Sequence, residues 1–131
     1  GQAHACRVRS ITYTNSDVGR AIAKNGWGFK DYAAVCKKLN QANAAIEVNG
    51  MATVLDGKAV TWATVTLRDK DLSISTGSAG NALLVNSSPG MEVARANLSE
   101  VIDDAVDNLD IDQAIASLNS NRKKIKAAYQ K

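Results

Sequence analysis

The stretch AIEVNGMATVLDGKAVTWATVTLRD, residues 45–69, decides the fold. Before it, apolar residues recur every three or four positions; within it they alternate. Successive strand side chains point to opposite faces, so a period of two marks a half-buried strand. The two alternating runs meet at Asp56-Gly57. That dipeptide accepts the left-handed backbone of a two-residue hairpin turn, so the stretch reads as an antiparallel hairpin. Ile46, Val48, Ala52 and Val54 share one face of its first strand. On the second strand, Val60, Trp62, Thr64 and Thr66 oppose Ala63, Val65 and Leu67. The alternation does not decide which of these two sets is buried.

Downstream, Asp69-Lys70-Asp71 makes the next turn. LSIST (72–76) reads as a third strand, Gly-Ser-Ala-Gly (77–80) interrupts it, and ALLV (82–85) reads as a fourth. An antiparallel meander of three or four strands is expected. Upstream, RVRSITYT (7–14) is β-leaning and suits a short edge strand. Asn15, Ser16 and Asp17 are helix-start residues, and the helix they open stops at Asn25-Gly26. After the GWGF loop a second helix spans residues 31–43, with Tyr32, Val35, Cys36, Leu39 and Ala42 on one face.

Beyond the NSSPG loop (86–90) the helical period returns. Asn97 and Glu100 have the spacing of a capping box. Val101, Ile102, Ala105, Val106 and Leu109 form the apolar stripe of this helix. Asp110 opens a last one, with Ile111, Ile115, Leu118, Ile125 and Tyr129 on one side. Its first turn is acidic and its end basic, as the helix dipole favours. The expectation is one α+β domain over residues 1–131. It has two helices before the meander and two after, packed mainly on one sheet face.

Composition narrows the function. Apolar residues at 45% and charged residues at 22% suit a globular chain and not a disordered one. No apolar run approaches the ~18 residues of a membrane span, so no membrane insertion is expected. A net charge of +3 gives little pull on a polyanion, and 5% aromatics leave few rings to stack bases. The basic clusters are Lys37-Lys38 and RKKIK (122–126), the latter near a helix end where basic residues stabilise the helix anyway. Nucleic acid is therefore not an expected partner; a basic nucleic-acid-binding protein stands as an alternative reading.

The chain has two cysteines, Cys6 and Cys36. Either they form a disulfide, or they are free thiols with Cys36 a small buried residue. The disulfide is the expectation, because an even count suits an oxidising compartment. The chain start agrees: it has no initiator Met, and its small residues resemble what signal-peptide cleavage leaves, although Gly1 could be a remnant of tag removal. A periplasmic or secreted location follows. Two thiols and one histidine, His4, do not close a zinc site, and no metal or cofactor is expected. His4 reads as part of a solvated terminus; in third position after a removed Gly1 it would have the spacing of a copper or nickel chelate.

No catalytic constellation stands out. His4 sits too near the end to serve as a held base, GSAG around Ser78 is one residue short of a nucleophile elbow, and no phosphate loop is present. Carboxylates are the one class left: Asp103 and Asp107 lie a helical turn apart, so a carboxylate-dependent hydrolase is the other alternative. The leading expectation is non-enzymatic. It is a protein-binding module, an inhibitor or immunity protein whose partner is a toxin or hydrolase. The candidate contact residues are Trp27 and Phe29 in the GWGF loop, Ser78 and Asn81 in the Gly/Ser stretch, Ser88 in the NSSPG loop, and Trp62. An outward Trp62 would mark an exposed sheet, which equally suits a homodimer.

Overall fold

The computed structural model describes residues 6–12 and 16–129. His4, Tyr13 and Asn15 lie outside the described residues. The elements run β1 (Ser10–Thr12), α1 (Ser16–Asn25), α2 (Tyr32–Gln41), β2 (Ala44–Leu55), β3 (Lys58–Asp69), β4 (Gly80–Asn86), α3 (Met91–Ala96), α4 (Leu98–Asn108) and α5 (Ile111–Tyr129). The fold is α+β, around one four-stranded sheet of order β1-β2-β3-β4.

The hairpin forms as its alternation predicts. Leu55 pairs with Lys58, so Asp56 and Gly57 make the turn, with φ of 49° and 71°. Both values lie in the left-handed region that this two-residue turn requires. β2, β3 and β4 are antiparallel neighbours. β1 corrects the expected purely antiparallel sheet: it pairs with β2 in parallel, Ser10 against Ile46 and Thr12 against Val48. The chain leaves β1 and returns to the sheet only after α1 and α2. A helical crossover of that kind allows a strand to re-join its neighbour in parallel.

Two further expectations change. LSIST is not a strand, and β4 begins at Gly80 instead of residue 82. The Asp69 carboxylate accepts the amides of Asp71 (2.8 Å) and Leu72 (2.9 Å), which turns the chain and leaves only an isolated bridge, Arg68 to Ser75. Three helical segments follow the meander where two were expected. α3 runs into α4 through Asn97, which keeps a helical backbone (φ −81°, ψ −7°) and makes no side-chain cap. A capping side chain needs an extended backbone at that residue, and the helix preceding Asn97 denies it.

Helices cover one face of the sheet. Ile46, Val48 and Ala52 of β2 and Ala59, Ala63, Val65 and Leu67 of β3 meet Leu98, Val101, Ile102 and Ala105 of α4 and Leu118 of α5. Each fully buried Leu or Ile contributes about 1.5–3 kcal/mol. The second strand thus buries the set containing Ala63, Val65 and Leu67. α4 approaches β4 most closely at Gly80, where an added Cβ would strike the Ala105 carbonyl oxygen and lie 2.8 Å from the Leu109 nitrogen.

Two devices fasten the ends. Cys6 and Cys36 are joined as a disulfide, with Cα atoms 6.1 Å apart. Around it the Tyr32 hydroxyl donates to the Cys6 carbonyl (3.0 Å), and Asn40 Nδ2 donates to the carbonyls of Arg7 (3.1 Å) and Cys36 (2.9 Å). At the other end, Arg122 of α5 reaches back. It donates to Asp69 (2.9 Å from Nε), to the Ala42 carbonyl (2.8 Å) and to the Asn43 carbonyl (3.0 Å). Beyond Arg122 the helix overhangs: Ile125 and Tyr129, expected on its apolar side, are exposed.

Candidate partner-binding surface

The second face of the sheet carries the set of side chains that the helices do not cover. Register places them in cross-strand rows: Glu47–Thr66, Asn49–Thr64–Asn81, Met51–Trp62–Leu83, Thr53–Val60–Val85 and Leu55–Lys58. The rows nearer the hairpin turn are mostly apolar, with Lys58 beside Leu55 at the end, and those at the far end are polar. Met51 is 46% exposed, Leu55 58%, Leu83 62% and Val85 53%, while Trp62 and Val60 are half-buried. A shallow hollow beside Trp62 is lined by Thr64, Asn81, Ala82 and Leu83. Its polar rim is held by Thr64 Oγ1, which donates to Asn81 Oδ1 at 2.7 Å.

Trp62 and Asn81 therefore come together on this face. Ser78 lies half-buried where the chain approaches β4, its amide donating to Thr76 Oγ1 at 3.1 Å. Ser88 is exposed in the 86–90 loop, its amide held by Asn86 Oδ1 at 2.9 Å. Trp27 and Phe29 belong to the helix side. Phe29 is 4% exposed in the core, and half-buried Trp27 meets its ring edge-on at 5.7 Å. The six expected contact residues thus do not form one site.

Asp103 and Asp107 tie that GWGF loop to α4. Asp103 accepts the Gly28 amide (2.9 Å) and Asp107 the Lys30 amide (2.8 Å). Burial pushes the Asp103 carboxyl above the usual carboxylate range; the Gly28 amide opposes that, and the charges of Asp107 and Asp104 add to it. The pair thus has a structural task. Among the described residues no group of three His, Cys, Asp or Glu side chains is placed to hold a metal ion. The basic clusters are partly engaged as well, Lys38 with Asp112 (3.0 Å) and Arg122 with Asp69 (2.7 Å). A mixed-charge groove between α1 and α3 holds Asp17, Arg20, Lys24, Glu92 and Arg95. No helix of the described residues is long and apolar enough to cross a membrane.

Met51, Leu55, Leu83 and Val85 were not among the expected contact residues. For Leu83 and Val85 a signal was present: ALLV is apolar at consecutive positions, so β4 offers apolar side chains to both faces while helices from this chain cover only one. Comparison with protein-family models, with curated proteins and with solved structures finds no match to this chain.

Proposed function

We propose that this chain is a small exported protein-binding module without catalytic chemistry of its own, gripping another protein with the open face of its sheet. The row Met51–Trp62–Leu83 carries the reading. An apolar patch with a polar border, built on rigid strands, has the make-up of a protein-docking surface. Trp62 is its natural anchor, because a large ring set in a desolvated centre dominates interface energies. The disulfide supports export, since such bonds persist in oxidising compartments. The bacterial periplasm is the proposed compartment. An inhibitor of a hydrolase, or an immunity protein against a toxin, is the proposed class, because both act by occupying a partner's surface.

The test is recovery of a stoichiometric partner from a native envelope extract on the immobilised, oxidised chain. Trp62→Lys should lose that partner while circular dichroism stays native. A partner retained in full by Trp62→Lys would remove the open face from the account.

A further inference from the structure

The open face has a self-complementary charge pattern, and we infer that in the absence of another partner it is covered by a second copy of this chain, packed face to face about a two-fold axis. The inference rests on the docking reading and names the resting occupant of that same face.

Rows along the face provide the argument. Take the Met51–Trp62–Leu83 row as the centre. Lys58 then lies four residues along β3 in one direction, and Glu47, paired with Thr66, lies four residues away in the other. Two orientations of a facing copy with aligned strands are related by two-fold symmetry, as a closed dimer requires. With the axis along the strands, each row meets itself, so Lys58 faces Lys58. With the axis across the strands through the Trp62 row, each row meets its opposite. Lys58 then comes one strand over from Glu47 of the second copy, and this pair occurs twice. Meanwhile Met51, Trp62 and Leu83 meet their own counterparts at the axis. Only the second orientation puts opposite charges together, and like charges brought face to face cost affinity.

Area sets the strength. Three strands about 4.8 Å apart and eight residues of about 3.4 Å give a face of roughly 14 Å by 27 Å. Two copies then bury on the order of 800 Å², before side-chain relief is counted, which is less than the ~1,200 Å² of stable specific interfaces and belongs with weak, transient ones. Such a dimer is reversible, and a tighter foreign partner displaces it. Aligned sheet packing, with the two sheets about 10 Å apart, supplies the geometry.

Sedimentation velocity of the intact, oxidised chain from about 1 µM to 1 mM tests this. The expected result is a concentration-dependent shift from monomer to dimer. Trp62→Lys abolishes it with native circular dichroism. Lys58→Glu alone and Glu47→Lys alone each weaken dimerisation at least tenfold, and the double variant recovers most of the loss. A monomer throughout overturns the inference, as does a dimer that both Trp62→Lys and the charge variants leave intact. A monomeric chain whose Trp62→Lys variant still loses a foreign partner overturns the dimer and leaves the docking reading standing. A dimer broken by Trp62→Lys, beside a foreign partner that binds that variant unchanged, supports the dimer and removes the docking reading.

Discussion

Replacing Arg122 by alanine should unlatch the last helix, and the structure sets the size of the effect. Arg122 side-chain atoms are 23% exposed and those of Asp69 8%, so the pair is largely screened from water. The substitution removes charged hydrogen bonds to Asp69 and two donations to the carbonyls of Ala42 and Asn43. Asp69 keeps the amides of Asp71 and Leu72, and Asn43 keeps the Lys70 amide. Breaking a buried pair costs about 3–5 kcal/mol. The retained amides and partial access to water place this case near the bottom of that range, at about 3 kcal/mol. For a domain of this size that lowers Tm by about 10 °C.

The acid response sharpens the test. Burial pushes the Asp69 carboxyl up, but the amides of Asp71 and Leu72 and the Arg122 guanidinium outweigh it and hold it below the usual carboxylate range. Its contribution to stability is therefore present above the unfolded-state value of about 4 and lost as pH falls through the lowered native value. Without Arg122, burial counts for more and the carboxyl moves up. The gap between wild type and Arg122→Ala should therefore be widest near pH 7 and narrow as pH falls below about 4. Urea unfolding followed by circular dichroism at pH 7 and at steps below about pH 4 reads it. An unchanged midpoint at pH 7, or a gap that widens in acid, would refute the latch.

Other outcomes follow from single contacts. Reducing the Cys6–Cys36 bond, which spans 30 residues of sequence, should lower unfolding free energy by about 3–4 kcal/mol in chemical denaturation. Gly80→Ala should cost about 1–3 kcal/mol or more in the same assay, because α4 must move off β4 to admit the methyl group. The raised Asp103 carboxyl binds a proton more tightly in the native state, so its contribution is fullest below the unfolded value and is lost as pH rises through the native one. Asp103→Asn should remove that decline as pH rises from about 4 toward neutrality in a thermal-melt series, while its amide oxygen still accepts from Gly28.

The hairpin, both upstream helices and the last helix were legible because each rests on local chemistry. Alternation and Asp56-Gly57 suffice for the one. Asp110, whose carboxylate accepts the Gln113 amide at 3.0 Å, opens the last helix. The parallel pairing of β1 was not legible, since Ser10 meets Ile46 only after two helices have packed. The fate of LSIST depended on the Asp69 carboxylate turning the chain, and the latch on Arg122 meeting Asp69 across 53 positions. A basic residue near a helix end looks the same in sequence whether it serves the dipole or a buried acid. The candidate surface was half legible. Trp62 stood out by its type, but Met51, Leu83 and Val85 acquire meaning only when register sets them beside it and leaves them uncovered.

The central claim is that the uncovered sheet face touches protein. A photo-crosslinking residue placed at Leu83, and separately at exposed Gln113 on α5, tests it directly in the cells that make the protein. The account predicts a discrete adduct from position 83, either with a second copy or with a foreign chain, and none from position 113. Equal labelling from both positions, or an adduct from position 113 alone, would contradict it.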